Sequence, residues 1–206
     1  MARVHKDFAH SYPTLSVSEL QKPILFVIDM VNGFVKEGAL HDEGINAISE
    51  NIIALVKNNE HRSVFVCDRH VEGTREFLSY PAHCVIGSTE TEVIEELQPY
   101  VYEVMYKNST NTFTCLEFQE FLETRIFDHQ DIVITGCCSD ICILQFALSL
   151  NAWLNEHNEE DKRVIVPINC IDTYHIDDVH DAVEINEFSI RNMAANGIYV
   201  VEQITE

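Results

Sequence analysis

The sequence predicts an α/β fold in three layers, with a mostly parallel sheet of six strands between two layers of helices. Short apolar runs alternate along the chain with segments of helical periodicity, which is the pattern of parallel strands joined by helical crossovers. The first run, PILFVIDM, is continuously apolar, as expected for a strand buried on both faces. The predicted strands cover residues 23–30, 63–68, 101–107, 131–136, 163–168 and 197–202.

The helices are predicted from the spacing of their apolar residues and from their start signals. They cover residues 43–59, 116–124, 139–154 and 178–196. The third of these is mostly apolar and starts with Ser139 and Asp140, either of which can cap a helix N-terminus. Residues 1–22 precede the first strand and are interpreted as an N-terminal extension, so the predicted domain covers residues 23–206.

Length and charge limit the possible functions. The 206 residues suit one domain with a full hydrophobic core. The formal net charge of −21, from 34 acidic and 13 basic residues, argues against binding to nucleic acid or to an anionic membrane surface. No apolar run is long enough to span a bilayer, and the N-terminus lacks the apolar block of a secretory signal. We therefore expect a cytoplasmic protein.

The cysteines do not form a disulfide framework, because their number is odd and their spacing irregular. They lie at positions 67, 84, 115, 137, 138, 142 and 170. In a reducing compartment these residues are free thiols, and most are expected to be ordinary core residues.

The predicted fold brings several reactive side chains to one edge of the sheet. Ligand sites of open parallel sheets lie beyond the carboxyl ends of the strands. The residues at these ends are Asp29, Asp68, Lys107 and the segment 136–142. The sequence therefore predicts a site at this edge that contains carboxylates, an ammonium and thiols.

Cys142 is the candidate nucleophile. It is expected in the first turn of a helix, where unpaired N–H groups and the helix dipole lower a thiol pKa and can hold an oxyanion. A buried core thiol is the alternative from spacing alone, and for Cys137 and Cys138 we favour that structural interpretation. Asp29 at a buried strand end needs a partner, and Lys107 is the matching cation that could hold it in place. When each residue is taken alone, a helix or loop cap and a surface lysine are the favoured interpretations.

A second group of candidates resembles a metal site. Asp68 and His70 form an Asp-x-His pair, and His83 follows. Carboxylate and imidazole ligands of this kind suit Zn²⁺, with Mn²⁺ or Fe²⁺ as alternatives. Spacing alone does not decide between Glu72 and Glu76 as the fourth ligand.

Together these segments resemble the isochorismatase-like cysteine hydrolase superfamily and, within it, the nicotinamidase and pyrazinamidase branch. The resemblance covers residues 23–202, and its expected architecture is the isochorismatase-like, Rossmann-like sheet. Its motifs are IDMVNGF with Asp29, Lys107 with Phe113 downstream, GCCSDICI ending on Cys142 and Ile143, and the Tyr-Pro-Ala-His-Cys element at 80–84. The segment KNSTNTFTCLEF departs from the family pattern, which leaves the exact substrate open.

The resemblance implies a role for each matching residue. Cys142 is the nucleophile, Asp29 its base and Lys107 the cation that completes the set. A cis peptide bond is implied between Cys137 and Cys138, and the backbone N–H groups of Cys138 and Cys142 form the oxyanion hole. The remaining implied residues are the ring-flanking aromatics Phe34 and Tyr80 and the metal ligands Asp68, His70, Glu76 and His83.

The resemblance also implies a reaction and an assembly. The expected substrate is a small-molecule amide, nicotinamide, which is hydrolysed to nicotinic acid and ammonia through a thioester. An N-carbamoyl or ureido compound is the alternative substrate. A binding or scaffold protein without catalytic activity is an alternative from a different class, and it predicts an unreactive Cys142. Family analogy further suggests a homo-oligomer.

Overall fold

The fold is built around a parallel sheet in the order β4-β3-β2-β5-β6-β8, with a short seventh strand, β7, beside the end of β5. The structure is a computed structural model, in which residues 2–58 and 62–206 are described. The strands of this sheet are β2 (Ile24–Ile28), β3 (Ser63–Asp68), β4 (Glu103–Lys107), β5 (Asp131–Cys137), β6 (Arg163–Pro167), β7 (Ile171–Asp172) and β8 (Tyr199–Val201). The six predicted strands are all present, and the predicted fold class is confirmed.

The helices are α1 (Lys6–Ala9), α2 (Asn32–Val35), α3 (Ser49–Asn58), α4 (Leu116–Thr124), α5 (Cys142–Glu156) and α6 (Ala182–Ala195). None of the helices in the described part of the chain is both long and apolar enough to cross a bilayer. Helices α4, α5 and α6 pack on one face of the sheet, and α3 packs on the other. The three layers expected from the sequence are therefore present.

Strand β2 shows why the sheet is buried on both faces. All five of its residues are buried, and successive side chains point to opposite faces. Phe26 contacts the rings of Phe118, Phe121 and Phe146 in one core, at centroid distances of 5.6, 5.4 and 5.4 Å. Its neighbour Val27 belongs to the second core, on the side of α3. This central strand thus fixes the position of the residues that follow it.

The N-terminal segment packs on the domain. Strand β1 (Leu15–Ser16) pairs in parallel with β9 (Ile204–Thr205), close to the end of the chain. The segment before it, which includes α1, reaches the carboxyl edge of the main sheet through Arg3. That side chain bonds to Asp172 at the end of β7.

Three predicted helices start later than expected, and one of them is α6, which begins at Ala182 instead of residue 178. The segment 43–59 is a 3-10 helix over Glu43–Ile48 that continues as α3, and residue 59 lies outside the described residues. Helix α5 begins at Cys142, three residues later than expected. The predicted caps Ser139 and Asp140 are wrong, because the N-cap is Ile141 and it makes no side-chain cap bond. The Ser139 hydroxyl instead donates to Asn186, and Asp140 accepts from Thr173.

Candidate active site

Four of the candidate residues meet because the strands that carry them are neighbours. Asp29 follows β2, Asp68 ends β3 and Lys107 ends β4, and these three strands are adjacent in the sheet. Asp68 and Lys107 are direct register partners. Cys142 starts the helix that follows β5, on the other side of β2. The sheet topology thus collects the thiol, the carboxylates and the ammonium at its carboxyl edge, as predicted.

Lys107 is the centre of a buried ionic cluster. Its Nζ lies 2.8 Å from Asp29 Oδ2, 2.5 Å from Asp68 Oδ1 and 3.9 Å from Cys142 Sγ. All four side chains are buried. Burial alone would lower the pKa of Lys107, but the charges of Asp29 and Asp68 outweigh burial and raise that pKa well above its ordinary value. The ammonium is therefore permanently charged.

Asp29 combines an unusual backbone with an unusual acidity. Its φ of +53° lies in the left-handed region, which Asp tolerates better than most residues do. Its Oδ1 accepts a 3.0 Å hydrogen bond from the Asp68 N–H. Burial raises the pKa of Asp29 to about 6, while Lys107 and a hydrogen bond with the Cys142 thiol oppose that rise. A carboxylate with a pKa near the working pH is suited to general-base chemistry.

The predicted acidity of Cys142 is wrong in sign. The position at the start of a helix is as expected, but burial raises the pKa of Cys142 well above its ordinary value, and the attraction of Lys107 does not compensate. Asp29 and Asp68 add to the rise, because they place negative charge beside the sulfur. Cys142 is therefore held as a thiol, so its reactivity depends on a neighbouring base.

The segment 137–142, from the last residue of β5 to the first residue of α5, is here called the nucleophile loop. It follows Gly136, whose φ is +109° and where a Cβ atom would lie 2.0 Å from the Ile28 carbonyl oxygen, so only glycine fits. The peptide bond between Cys137 and Cys138 is cis, at the position that the resemblance implies. Within the loop, the Ile141 N–H donates to the Cys138 carbonyl.

Beside Lys107, four side chains bring their donor atoms together, all within 4.8 Å of one another. Asp68 Oδ2 lies 3.5 Å from both His70 Nε2 and His83 Nε2. Glu76 Oε1 lies 4.0 and 3.9 Å from the same two nitrogens. Glu72 is exposed and is not part of this group, so the cluster contains Glu76.

The donor atoms of this cluster fit a divalent cation. The Nδ1 atom of His70 is 2.9 Å from Asn108 Oδ1, and that of His83 is 2.8 Å from the Pro81 carbonyl oxygen. These contacts place the ring proton on Nδ1 and leave Nε2 with a free lone pair, the usual arrangement of a metal-binding histidine. His70 Nε2 is buried without a hydrogen-bond partner, which is costly unless a cation occupies the site.

Asp68 joins the two clusters. One of its oxygens accepts from Lys107, and the other lies between the two histidine nitrogens. Burial would raise the pKa of Asp68, but the charge of Lys107 and the hydrogen bonds around the carboxyl group lower it. This carboxylate is therefore always available as a ligand.

Both clusters open into one cavity of about 640 Å³. Phe34 and Tyr80 line it, with ring centroids 5.6 and 6.2 Å from that of His83. The sequence prediction missed Asn108 and Arg3. Asn108 directly follows a strand-end residue, so the rule that selected Lys107 could have selected it. Arg3 also lines the cavity, and nothing in its local sequence indicates this position.

A parallel sheet between two layers of helices, with a buried thiol, carboxylate and ammonium at its carboxyl edge, is the arrangement of a hydrolase that uses a cysteine. The chain belongs to the isochorismatase family, because the model of the isochorismatase domain matches residues 23–204. The predicted superfamily is thereby confirmed.

The comparison with known proteins also finds nicotinamidases. Nicotinamidase 1 of Arabidopsis thaliana is 27% identical over 150 residues, which is 62% of this chain and 60% of that relative. Nicotinamidase PncA from Bacillus subtilis superposes with a TM-score of 0.70 at 21% identity, covering 88% of this chain and 100% of that one. N-carbamoylsarcosine amidase from Thermoplasma acidophilum gives a TM-score of 0.63 at 22% identity, over 90% and 96% of the two chains. The prediction of an amidohydrolase agrees with these relatives.

Proposed function

We propose that the protein hydrolyses nicotinamide to nicotinic acid and ammonia through a thioester on Cys142. One observation carries this proposal: Asp68 belongs to both clusters, with one oxygen on Lys107 and the other between His70 and His83. A carboxamide carbon at the thiol therefore places the rest of a small molecule beside the metal-binding donors. Nicotinamide carries a carboxamide and a ring nitrogen on one planar ring, so it matches both clusters at once.

The proposed steps use the residues of the Lys107 cluster. Asp29 takes the proton of the Cys142 thiol as the sulfur attacks the carboxamide carbon. The backbone N–H groups of Cys138 and Cys142 donate to the oxyanion that forms. When the C–N bond breaks, Asp29 gives the proton to the departing ammonia. A water molecule then attacks the thioester, which releases the acid and restores the thiol. Throughout, Lys107 balances the charge of Asp29.

The metal-binding role is assigned to Asp68, His70, Glu76 and His83. We propose zinc as the bound ion, with manganese or iron as alternatives that suit the same donors. When bound, the ion supplies a Lewis acid for the lone pair of the ring nitrogen. Phe34 and Tyr80 are the proposed flanking residues, because a planar ring packs well between aromatic side chains.

Apart from the proposed metal ion, the lysine and arginine side chains at the cavity favour a neutral substrate. Among its described lining residues Arg3 is the sole arginine or lysine, and its guanidinium already bonds to Asp42 and Asp172. Lys107, at the base of the site, is held by two carboxylates. An N-carbamoyl amino acid carries a carboxylate that would find no unpaired side-chain ammonium or guanidinium here. Nicotinamide has no such charge.

Ammonia release from a small panel of amides tests the substrate. We expect nicotinamide and pyrazinamide to be turned over, and benzamide, which lacks the ring nitrogen, to show a kcat/KM at least about 100-fold lower. Faster turnover of N-carbamoylsarcosine than of nicotinamide would replace the proposed substrate by a ureido compound. Equal rates with benzamide and nicotinamide would remove the role of the metal-binding cluster in recognition.

We further propose that the enzyme works as a homo-oligomer in the cytoplasm. The seven cysteines are all free, which suits a reducing compartment. The proposed assembly rests on family analogy, and Leu116 and Phe127, which are 81% and 58% exposed, are candidate contact residues. Light scattering of the purified protein tests the assembly, and a monomeric mass at micromolar concentration would contradict it.

A further inference from the structure

Arg3, far from the other site residues in sequence, connects three segments at the cavity wall. Its Nε donates to Asp172 Oδ2 at 3.0 Å, and one terminal nitrogen donates to Asp42 Oδ2 at 2.8 Å. The other terminal nitrogen donates to the carbonyl oxygen of Thr173. The fork of a guanidinium is suited to several such contacts at once. Arg3 therefore links the N-terminal segment to the loop before the 3-10 helix Glu43–Ile48 and to the end of β7.

Hydrogen bonds of Asp172 connect Arg3 to the nucleophile loop. Its Oδ1 accepts a 2.7 Å bond from Asn186 Nδ2, and the side-chain oxygen of Asn186 accepts a 2.6 Å bond from the Ser139 hydroxyl. The Ser139 N–H donates to the Asp172 carbonyl oxygen at 2.9 Å. Asp172, Asn186 and Ser139 are all fully buried. Ser139 is thus held at two atoms, and it is the residue after Cys138.

Arg3 is the partner that makes this buried carboxylate tolerable. Burial raises the pKa of Asp172, and the charge of Arg3 opposes that rise. A buried carboxylate that loses its cation is left with an uncompensated charge, which is costly. It must then take up a proton or draw in water, and either change disturbs the bonds to Asn186 and Ser139. The backbone of Arg3 adds to the network, since its carbonyl accepts from Asn186 Nδ2 at 2.9 Å.

We propose that Arg3 is a positioning residue of the active site, which holds the nucleophile loop in place through Asp172, Asn186 and Ser139. The effect on catalysis rests on the proposed function, because the loop carries the Cys138 N–H that is assigned to the oxyanion. The effect on the position of the loop is independent of the proposed function. Residues 1–22, beyond the region of family similarity, thereby contribute to the site.

Hydrogen exchange of the nucleophile loop tests the proposal without a substrate. At pH 8, where an unpaired Asp172 is least easily protonated, we expect Arg3→Ala to speed exchange of the amides of residues 137–142 at least about 10-fold. Asp172→Asn keeps an acceptor for Asn186 and removes the charge. The double variant R3A/D172N should therefore return exchange to within about 3-fold of the wild type.

Kinetics give the second arm of the test. With the best amide of the panel, Arg3→Ala should lower kcat at least about 10-fold and change KM less than about 3-fold. Alkylation of Cys142 by iodoacetamide forms no oxyanion, so its rate should stay within about 3-fold. A structural defect of the whole site would slow both reactions. Lys6→Ala, which removes the same charge from the same segment, is the control and should change none of these values.

Two results would overturn the proposal. One is an exchange rate in Arg3→Ala equal to that of the wild type, and the other is an additive effect of the two substitutions in R3A/D172N. Failure of the proposed function looks different, because wild-type protein would then release no ammonia from any amide. The exchange arm would still decide whether Arg3 holds the loop.

Discussion

Two ion clusters at opposite edges of the sheet differ in the number of carboxylates that share one cation. At the carboxyl edge, the single ammonium of Lys107 is shared by Asp29 and Asp68, and all three side chains are buried. At the amino edge, Arg163 at the start of β6 forms a two-pronged pair with Asp131 at the start of β5, at 2.7 and 2.8 Å. There the carboxylate is buried, but the Arg163 side chain is 40% exposed.

The difference shows what makes the carboxyl edge reactive. At the amino edge one cation meets one carboxylate, water reaches the guanidinium, and the pair is suited only to stabilising the fold. At the carboxyl edge two carboxylates share one cation and all three side chains are buried, and burial raises the pKa of Asp29 to about 6 against the attraction of Lys107. Burial makes the main contribution to the raised pKa of Asp29, and the negative charge of Asp68, which shares the same cation, adds to it.

Removal of the sulfur should give the largest effect of any single change. We expect Cys142→Ala to lower kcat for amide hydrolysis at least about 10⁴-fold, because the thioester cannot form. Cys170→Ala removes another buried thiol, one that does not line the cavity, and should keep nearly full activity. Ammonia release and circular dichroism of both variants provide the comparison. Wild-type activity in Cys142→Ala would refute the nucleophile assignment.

Lys107→Met should affect both stability and activity. The substitution leaves two buried carboxylates without a cation, so we expect the free energy of unfolding to fall by about 3–5 kcal/mol. Activity should fall at least about 100-fold, because Asp29 then holds its proton and is no longer a base. Urea unfolding and steady-state kinetics measure the two effects. A variant that is as stable as the wild type would show that the carboxylates are not charged.

Glu76 of the metal-binding cluster and Glu72 outside it form a matched pair for substitution. We expect Glu76→Gln to weaken binding of the ion about 10- to 100-fold, since an amide oxygen is a poorer ligand than a carboxylate. Glu72→Gln changes an exposed glutamate four residues earlier and should leave metal content unchanged. Elemental analysis after dialysis against a chelator, followed by activity on re-addition of zinc, separates the variants. Equal metal loss in both would exclude Glu76 as a ligand.

The sequence was sufficient for the residues whose place depends on topology. Asp29, Asp68 and Lys107 follow from the rule that parallel strands end at one edge, and the strand order then makes them neighbours. The choice between Glu72 and Glu76 could not be made in this way, because it depends on the 3-10 helix over Arg75–Leu78. A short 3-10 helix of that kind cannot be predicted from the spacing of apolar residues in the sequence.

Two further features depend on contacts that are distant in sequence. The acidity of Cys142 was predicted with the wrong sign, because the helix start is a local feature whereas burial and the two nearby carboxylates come from other strands. Arg3 and Asp172 are 169 residues apart, and each has an ordinary local context. Their pairing is visible only once the chain is folded, since charge patterns do not specify long-range partners.

A substitution at the amino edge of the sheet should have the smallest effect of those considered, and it contrasts with Lys107→Met at the carboxyl edge. Arg163→Met keeps the apolar stem beside Tyr199 but removes the fork on Asp131, which still accepts a 2.7 Å bond from the Gln21 N–H. We expect a loss of only about 1–2 kcal/mol in the free energy of unfolding, and an unchanged kcat. The loss should shrink in 1 M salt, because ions screen the exposed guanidinium, at a Debye length of about 3 Å. A loss as large as that of Lys107→Met would mean that the ratio of charges does not distinguish the two edges.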